Sequence, residues 1–379
     1  MIFSVPSGGF PTVGSDGGPA LGSLRHARLL DGNYGKEDET MKKKLTALFA
    51  SLLCMALLAA CGGGSNSGAA ANDSGSDAGE PAAQTGGASL KFTTGGDQGT
   101  YYAFGSVLAG QVTNSTATNV TAITSGGSKA NIQALADGDA ELGFVQSDVM
   151  AYGYNGTRLF DAPETGFSTV AALYMEQVQI VTLDPNIKSV ADLAGKTVSV
   201  GDAGSGVNFN AVDILGVYGL DVSKDINPVY ESFGTSAESL QDNKIDAAFV
   251  VAGAPTTAVT TLAASKDVYL VSLDDEHIAQ LQELSPYYSK AVISADTYNM
   301  PEDAVTVAVG AVVIARDDVA EDDVYNFVST VFESKDEISS SHAKGAELDL
   351  DFAASVTSVP YHPGAARYFA EKGLEVAVK

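Results

Sequence analysis

The sequence has no tryptophan, two cysteines and four histidines in 379 residues, and its 21 lysines and arginines face 47 aspartates and glutamates. Two cysteines exclude a disulfide framework and a paired Cys-x-x-Cys zinc or redox site, and four scattered histidines provide no His-rich metal centre. A formal net charge of −26 disfavours nucleic acid and anionic lipid surfaces as partners. After residue 61 no apolar run approaches the length needed to span a bilayer. What remains is 45% hydrophobic, enough for a sizeable core in about two domains or lobes.

The one long apolar run lies near the start. From Met41 the chain reads MKKKLTALFASLLCMALLAAC: three lysines, apolar residues from Leu45 to Ala60, then Cys61. This is the pattern of a signal peptide, too short and wrongly flanked for a transmembrane helix. Leu58, Ala59, Ala60 and Cys61 resemble a bacterial lipobox, in which the sulfur is diacylated and the chain is cut before the cysteine. Residues 1–40 are then an upstream or untranslated leader and 41–60 a lipoprotein signal. Removal of the 60 residues before Cys61 takes the basic residues from 21 to 15 and the acidic from 47 to 42, a net charge of −27. The following stretch to Gly87 holds no aromatic or branched aliphatic residue and cannot bury a core. Residues 61–88 are expected to form a lipidated tether, its mean span about 28 Å, holding the body at the outer face of the cytoplasmic membrane.

From Ser89 the pattern is strand, Gly-rich turn, helix, repeated. SLKFTTGG leads into TYYAFGSVLAGQV, NVTAITSGG into SKANIQALADGD, and AELGFVQSD follows; KTVSVGDAGSG opens a second series. Such alternation predicts an α/β fold with mostly parallel strands covered on both faces. Two extended apolar segments, Thr169 to Leu183 and Val305 to Val319, are expected to cross between two lobes as a hinge. Lobe one then comprises 89–178 and 310–379, and lobe two 179–309. Ligands of open α/β sheets bind at the carboxyl ends of the strands, here the cleft between lobes.

Four Gly/Ser loops fall at such strand ends: Gly95 to Tyr101, Ser125 to Asn131, Gln146 to Asp148, and Gly201 to Asn208. Helix N-termini present unpaired N–H groups and the positive end of the dipole, which suits carboxylates or phosphates. Of the basic residues only Lys129 and Arg158 stand near these loops, so an anion would depend on neutral donors; for a ligand amine, Asp97 and Asp148 are the candidates. Catalytic motifs fail on their own terms. Gly195-Lys196-Thr197 lacks the first P-loop glycine because residue 190 is valine, and Ser205 has Ala203 where a nucleophile elbow needs glycine. Asp274, Asp275, Glu276 and His277 read as the acidic start of a helix, and Tyr361-His362-Pro363-Gly364 has no partner with a defined role. No enzyme, cofactor or metal is expected.

In order, TTGGDQGTYYAFG, TSGGSKANIQALADGDAELGFVQSD, VSVGDAGSGVNFNA, DAAFVVAGAP, LVSLDDEHIAQL and YHPGAARYFAEKG resemble the landmarks of the TAXI family of TRAP-transporter solute receptors, over about residues 89–375. The resemblance implies a two-lobed, Venus-flytrap fold of the type II periplasmic-binding-protein kind. It implies an extracytoplasmic receptor that delivers small organic acids or amino acids, glutamate and glutamine among them, to a polytopic permease for ion-coupled uptake. By the family's motifs the ligand contacts are Gly96, Gly99, Thr100 and Tyr101; Ser125, Ser128 and Asn131; Gln146, Ser147 and Asp148; and Ser205 and Gly206, with Tyr174 on the hinge side. After Gly-Ser-Gly the family usually has threonine, whereas this chain has Val207 and then Asn208, which places either the amide or a less polar ligand group there. A ligand-sensing lipoprotein serving a membrane signalling receptor would share the same fold and pocket.

Overall fold

The computed structural model describes residues 87–158 and 160–379. The expected leader, signal segment, Cys61 and nearly all of the tether lie outside the described residues. The first half alternates β1 (Ser89–Thr93), α1 (Thr100–Ser115), β2 (Asn119–Ile123), α2 (Ser128–Ala136), β3 (Leu142–Gln146) and α3 (Ser147–Asn155) before the long β4 (Phe167–Thr182). The second series runs β5 (Thr197–Ser199), α4 (Gly206–Val217), β6 (Asn227–Val229), α5 (Phe233–Gln241), β7 (Ala247–Ala252), α6 (Thr257–Ala263), β8 (Tyr269–Leu270), α7 (Asp275–Leu284) and β9 (Ser289–Ile293). A second long strand, β10 (Ala304–Arg316), then leads to α8 (Glu321–Glu333), α9 (Lys335–Ser341), α10 (Leu350–Ala353) and α11 (Pro363–Glu371). Among the described residues no helix is long and apolar enough to cross a membrane.

All ten strands form one sheet in the order β2-β1-β3-β10-β4-β7-β5-β6, with β8 on β4 and β9 on β10. β1 pairs in parallel with β2 and β3, and β5 in parallel with β6 and β7. These two parallel sets are joined only through β4 and β10, which pair antiparallel from Phe167↔Arg316 to Gln177↔Ala308. β10 meets β3 through Ala311–Ala315, while β4 meets β7 through Gln177–Thr182. The two crossing segments thus occupy Phe167–Thr182 and Ala304–Arg316, within a few residues of the apolar runs in the sequence.

β3 and β7 are buried at every position, as strands covered on both faces must be. Around β1–β3, one core gathers Phe92, Phe104, Phe144, Tyr174, Phe327 and Phe369 and the opposite face gathers Ile132, Val145, Phe160 and Phe209. Around β5–β7 the corresponding pair is centred on Val198, Ile214 and Phe249, and on Leu240, Val250 and Leu262. The C-terminal helices therefore pack against the β1–β3 end, through Phe327, Tyr368 and Phe369. Local chemistry sets the helix starts: Ser205 accepts from the Asn208 amide, Ser232 from Thr235, and Asp274 from His277. The acidic run at 274–276 is thus a cap and first turn. His362 caps α11, with Pro363 in its first turn.

Phe144 joins this core to the strand ends. Its ring lies 4.9 Å from Phe92 and 4.6 Å from Tyr101, nearly parallel to the latter. Phe144→Ala should cost about 3–5 kcal/mol through lost burial and an unfilled cavity, and Phe144→Leu markedly less. Urea unfolding followed by far-ultraviolet circular dichroism measures both.

Candidate functional site

The turns after β1, β2, β5 and β6 converge on one cavity of about 60 Å³. Its wall includes Gly99 and Thr100 at the start of α1, Gly127 and Ser128 at α2, Ser205 and Gly206 at α4, and Ser232 and Phe233 at α5. Four helix N-termini, two from each end of the sheet, thus direct the positive ends of their dipoles at one space. The backbone here demands glycine. Gly127 has φ 94°, and a Cβ on Gly206 would lie 1.3 Å from Gln146 Oε1. Val207, Phe233, Val251 and Ala252 supply apolar wall, and among the described residues no lysine, arginine or histidine is part of the lining.

Glu176 is the group the sequence motifs did not single out. β4 carries its carboxylate into the cavity wall, where it is 2% exposed. The Tyr101 hydroxyl donates to its Oε2 at 2.8 Å, and among the described residues this is its only hydrogen bond. Burial pushes the carboxyl up to about 8; the Tyr101 bond pulls down, the charge of Asp148 pushes up and that of Lys344 pulls down. Lys344 is itself engaged with Glu347 and stands over the Tyr174 ring. Asp202 also lines the cavity, and burial raises its carboxyl above the ordinary value. A single acid within the apolar run TVAALYMEQVQIVTL was the available signal, because a charge in a buried strand needs a reason.

Of the expected contacts, Gly96, Gly99, Thr100, Tyr101, Ser128, Gln146, Ser205, Gly206 and Val207 line the cavity. The others stand outside its wall and have structural partners or core positions. Ser125 accepts from the Gly127 amide within its turn. Asn131, fully buried, donates to the carbonyls of Thr94 and Phe144 at 2.7 and 2.6 Å and ties β1 to β3. Ser147 accepts from the Gly310 amide across to β10. Asp148 accepts from the Val149 amide and from Asn210, and Asp97 is exposed. Neither acid first considered for a ligand amine lies in the cavity wall. Tyr174 packs edge-on against Phe104 in the core, and the Asn208 side chain turns back to the Val200 carbonyl at 3.4 Å.

Beside the cavity a polar network crosses between the two ends of the sheet. Gln146 Nε2 donates to Asn210 Oδ1 at 2.7 Å, and Asn210 Nδ2 donates to Asp148 Oδ2 and to the Tyr288 hydroxyl, each at 2.9 Å. Tyr288 donates to Asp213, which also forms an ion pair with Arg158. Burial raises the Asp148 carboxyl to about 6, while the Val149 amide and Asn210 pull it down. Thr100 adds a bond to the Gly253 carbonyl at 2.9 Å. These bonds tie the two ends of the sheet together around the cavity.

Two outcomes follow from these groups. Asn210→Ala removes the amide shared by Gln146, Asp148 and Tyr288, and should shift the protein toward an open form with a larger radius of gyration in small-angle scattering. Glu176, with a folded-state value above its ordinary one, binds more protons folded than unfolded between about pH 4.5 and 8, so its contribution to stability is lost as pH rises through that window. In denaturant titrations across that range, the native protein should therefore lose stability relative to Glu176→Gln; the comparison cancels the opposite pull of the half-buried His342 and the buried His362, whose values desolvation lowers.

Solved structures with a similar fold include the alkanesulfonate-binding protein SsuA from Xanthomonas axonopodis pv. citri bound to MOPS, 15% identical, with a TM-score of 0.42 over 75% of this chain and 84% of that one. A putative L-cystine ABC transporter protein from Listeria monocytogenes is 16% identical, with a TM-score of 0.44 over 69% and 98% of the two chains. MatC from Rhodopseudomonas palustris with bound malate is 13% identical, with a TM-score of 0.49 over 76% and 95%. The family profile of the NMT1-like proteins matches residues 92–373, from within β1 to beyond α11. The chain belongs to the NMT1-like family.

Proposed function

We propose that the protein is an extracytoplasmic solute receptor of a TRAP-type, TAXI-like uptake system, which closes on a small organic acid or amino acid and presents the closed form to a polytopic permease. The observation that carries this reading is the single cavity lined by four helix N-termini drawn equally from the two ends of the sheet. A ligand carboxylate there gains N–H donors from both ends at once, so binding favours the closed form over the open one. Charge-assisted bonds of about 1.5–3 kcal/mol each make two or three sufficient for micromolar affinity after the costs of association.

Binding without turnover also fits the chemistry of the wall. The Ser205 hydroxyl accepts from the Asn208 amide as a helix cap, and the lining contains no histidine to activate it. Lipidation of Cys61 would keep such a receptor beside its permease, two acyl chains anchoring stably where one binds reversibly.

Three measurements test the reading. A thermal-shift screen of amino acids, C4–C6 dicarboxylates and short keto acids should give at least one stabilising ligand; at a hundred times its dissociation constant the gain is about 2.7 kcal/mol. Gly206→Ala places a methyl against Gln146 and should weaken that ligand at least tenfold, about 1.4 kcal/mol, by opposing closure; unchanged affinity in calorimetry would count against binding in this cavity. In cells fed labelled palmitate, the native protein should carry label and partition with membranes, and Cys61→Ala should do neither.

A further inference from the structure

The wall of the cavity carries a charge pattern that selects among ligands. It presents two carboxylates, Glu176 and Asp202, and no cationic side chain, beside the positive ends of four helices. Among the described residues neither carboxylate accepts a hydrogen bond from a helix-start amide, and Glu176 forms no ion pair, Lys344 acting on it only at longer range while engaged with Glu347. Oε2 of Glu176 is held by Tyr101 and Oε1 receives no hydrogen bond from any described residue. A buried acid kept in this state is either protonated or awaiting a cation. A ligand that carries one ammonium and one carboxylate satisfies both unmatched features at once, whereas a second carboxylate would have to lie against Asp202, Glu176 or the apolar surface of Val207, Phe233, Val251 and Ala252.

We infer that the occupant is an α-amino acid whose ammonium pairs with Glu176, whose carboxylate lies at the helix N-termini, and whose side chain bears no negative charge. The inference rests on the solute-receptor reading and narrows it, setting di-acids, keto acids and glutamate itself below neutral and basic amino acids. Tyr101 acts as the positioning residue, since its hydroxyl holds the Glu176 carboxylate while its ring is fixed on Phe144. The groups acting on Glu176 are Tyr101, Asp148 and Lys344. Because the empty carboxyl titrates near pH 8, it is mostly protonated at pH 7. Pairing with an ammonium ionises it: the O–H bond breaks, the proton passes to buffer, and the carboxylate pairs with the incoming cation. Binding therefore releases up to about one proton and strengthens as pH rises toward 8.

Calorimetric titration of the full-length protein with the twenty standard L-amino acids, and with the des-amino acid of the tightest binder, tests the inference. A neutral or basic amino acid should bind best, with glutamate, aspartate and the des-amino acid at least tenfold weaker. Enthalpies measured in buffers of different ionisation enthalpy should reveal proton release at pH 7. Glu176→Gln should lower affinity at least tenfold and abolish that release, while Glu176→Asp should retain it; the native protein's pH dependence supplies the same information should the variants fold poorly. Equal or tighter binding of the des-amino acid, or unchanged affinity in Glu176→Gln, overturns the amine site, and equal or tighter binding of glutamate or aspartate overturns the exclusion of a negative side chain; either result leaves the receptor standing. No binding by these amino acids or by the organic acids of the wider screen overturns both.

Discussion

The antiparallel pairing of β4 with β10 is the constraint on which the rest of the molecule depends. Among the described strands, these two connect the parallel sets on either side within the sheet. Their length lets one end of each serve the β1–β3 core and the other the β5–β7 core. Each flanking set is covered on both faces around a strand buried at every position, β3 on one side and β7 on the other. The same pairing determines which residues of β4 face the cavity, and so brings Glu176 beneath Tyr101.

Electrostatics act on two scales here, and they point in opposite directions. The chain as a whole is strongly acidic, which repels anions at a distance but is screened within about 8 Å at physiological salt. Inside the cavity the field is set locally, by helix termini that carry partial positive charge and by the desolvated carboxyl groups of Glu176 and Asp202. Neutral donors fixed by backbone geometry need no cationic side chain and add none of its rotamer entropy. The cross-sheet bonds of Gln146, Asn210 and Asp148 lie beside this field, and Gln146 belongs both to them and to the cavity wall.

Much of the architecture was legible in the chain. Continuous apolar runs marked the covered strands, the two longest marked the crossing pair, and Gly/Ser clusters after strands marked turns into helices, because those positions need either positive φ or a capping oxygen. The turn before α5, with Ser232 and Phe233, was missed: its Ser-Phe-Gly opening is an ordinary cap and carries none of the glycine density that distinguished the other loops. Asn131 and Asp148 read as ligand contacts for a reason that holds in general. A polar residue at a strand end next to a cleft can face the ligand or satisfy backbone groups behind it, and the local sequence is the same in either case.

The sequence by itself determined the class of fold, the crossing segments and the presence of several anion-favouring helix starts, since these follow from local periodicity and backbone chemistry. Only the tertiary structure decided that three of those starts share one space with the start of α5, that Asn131 ties two strands together, and that Glu176, unlike Asp97 and Asp148, lies in the cavity wall. The physical reason is that burial and pairing are properties of neighbours brought together by the sheet, from residues as far apart in the chain as Tyr101 and Glu176, and no local pattern encodes them.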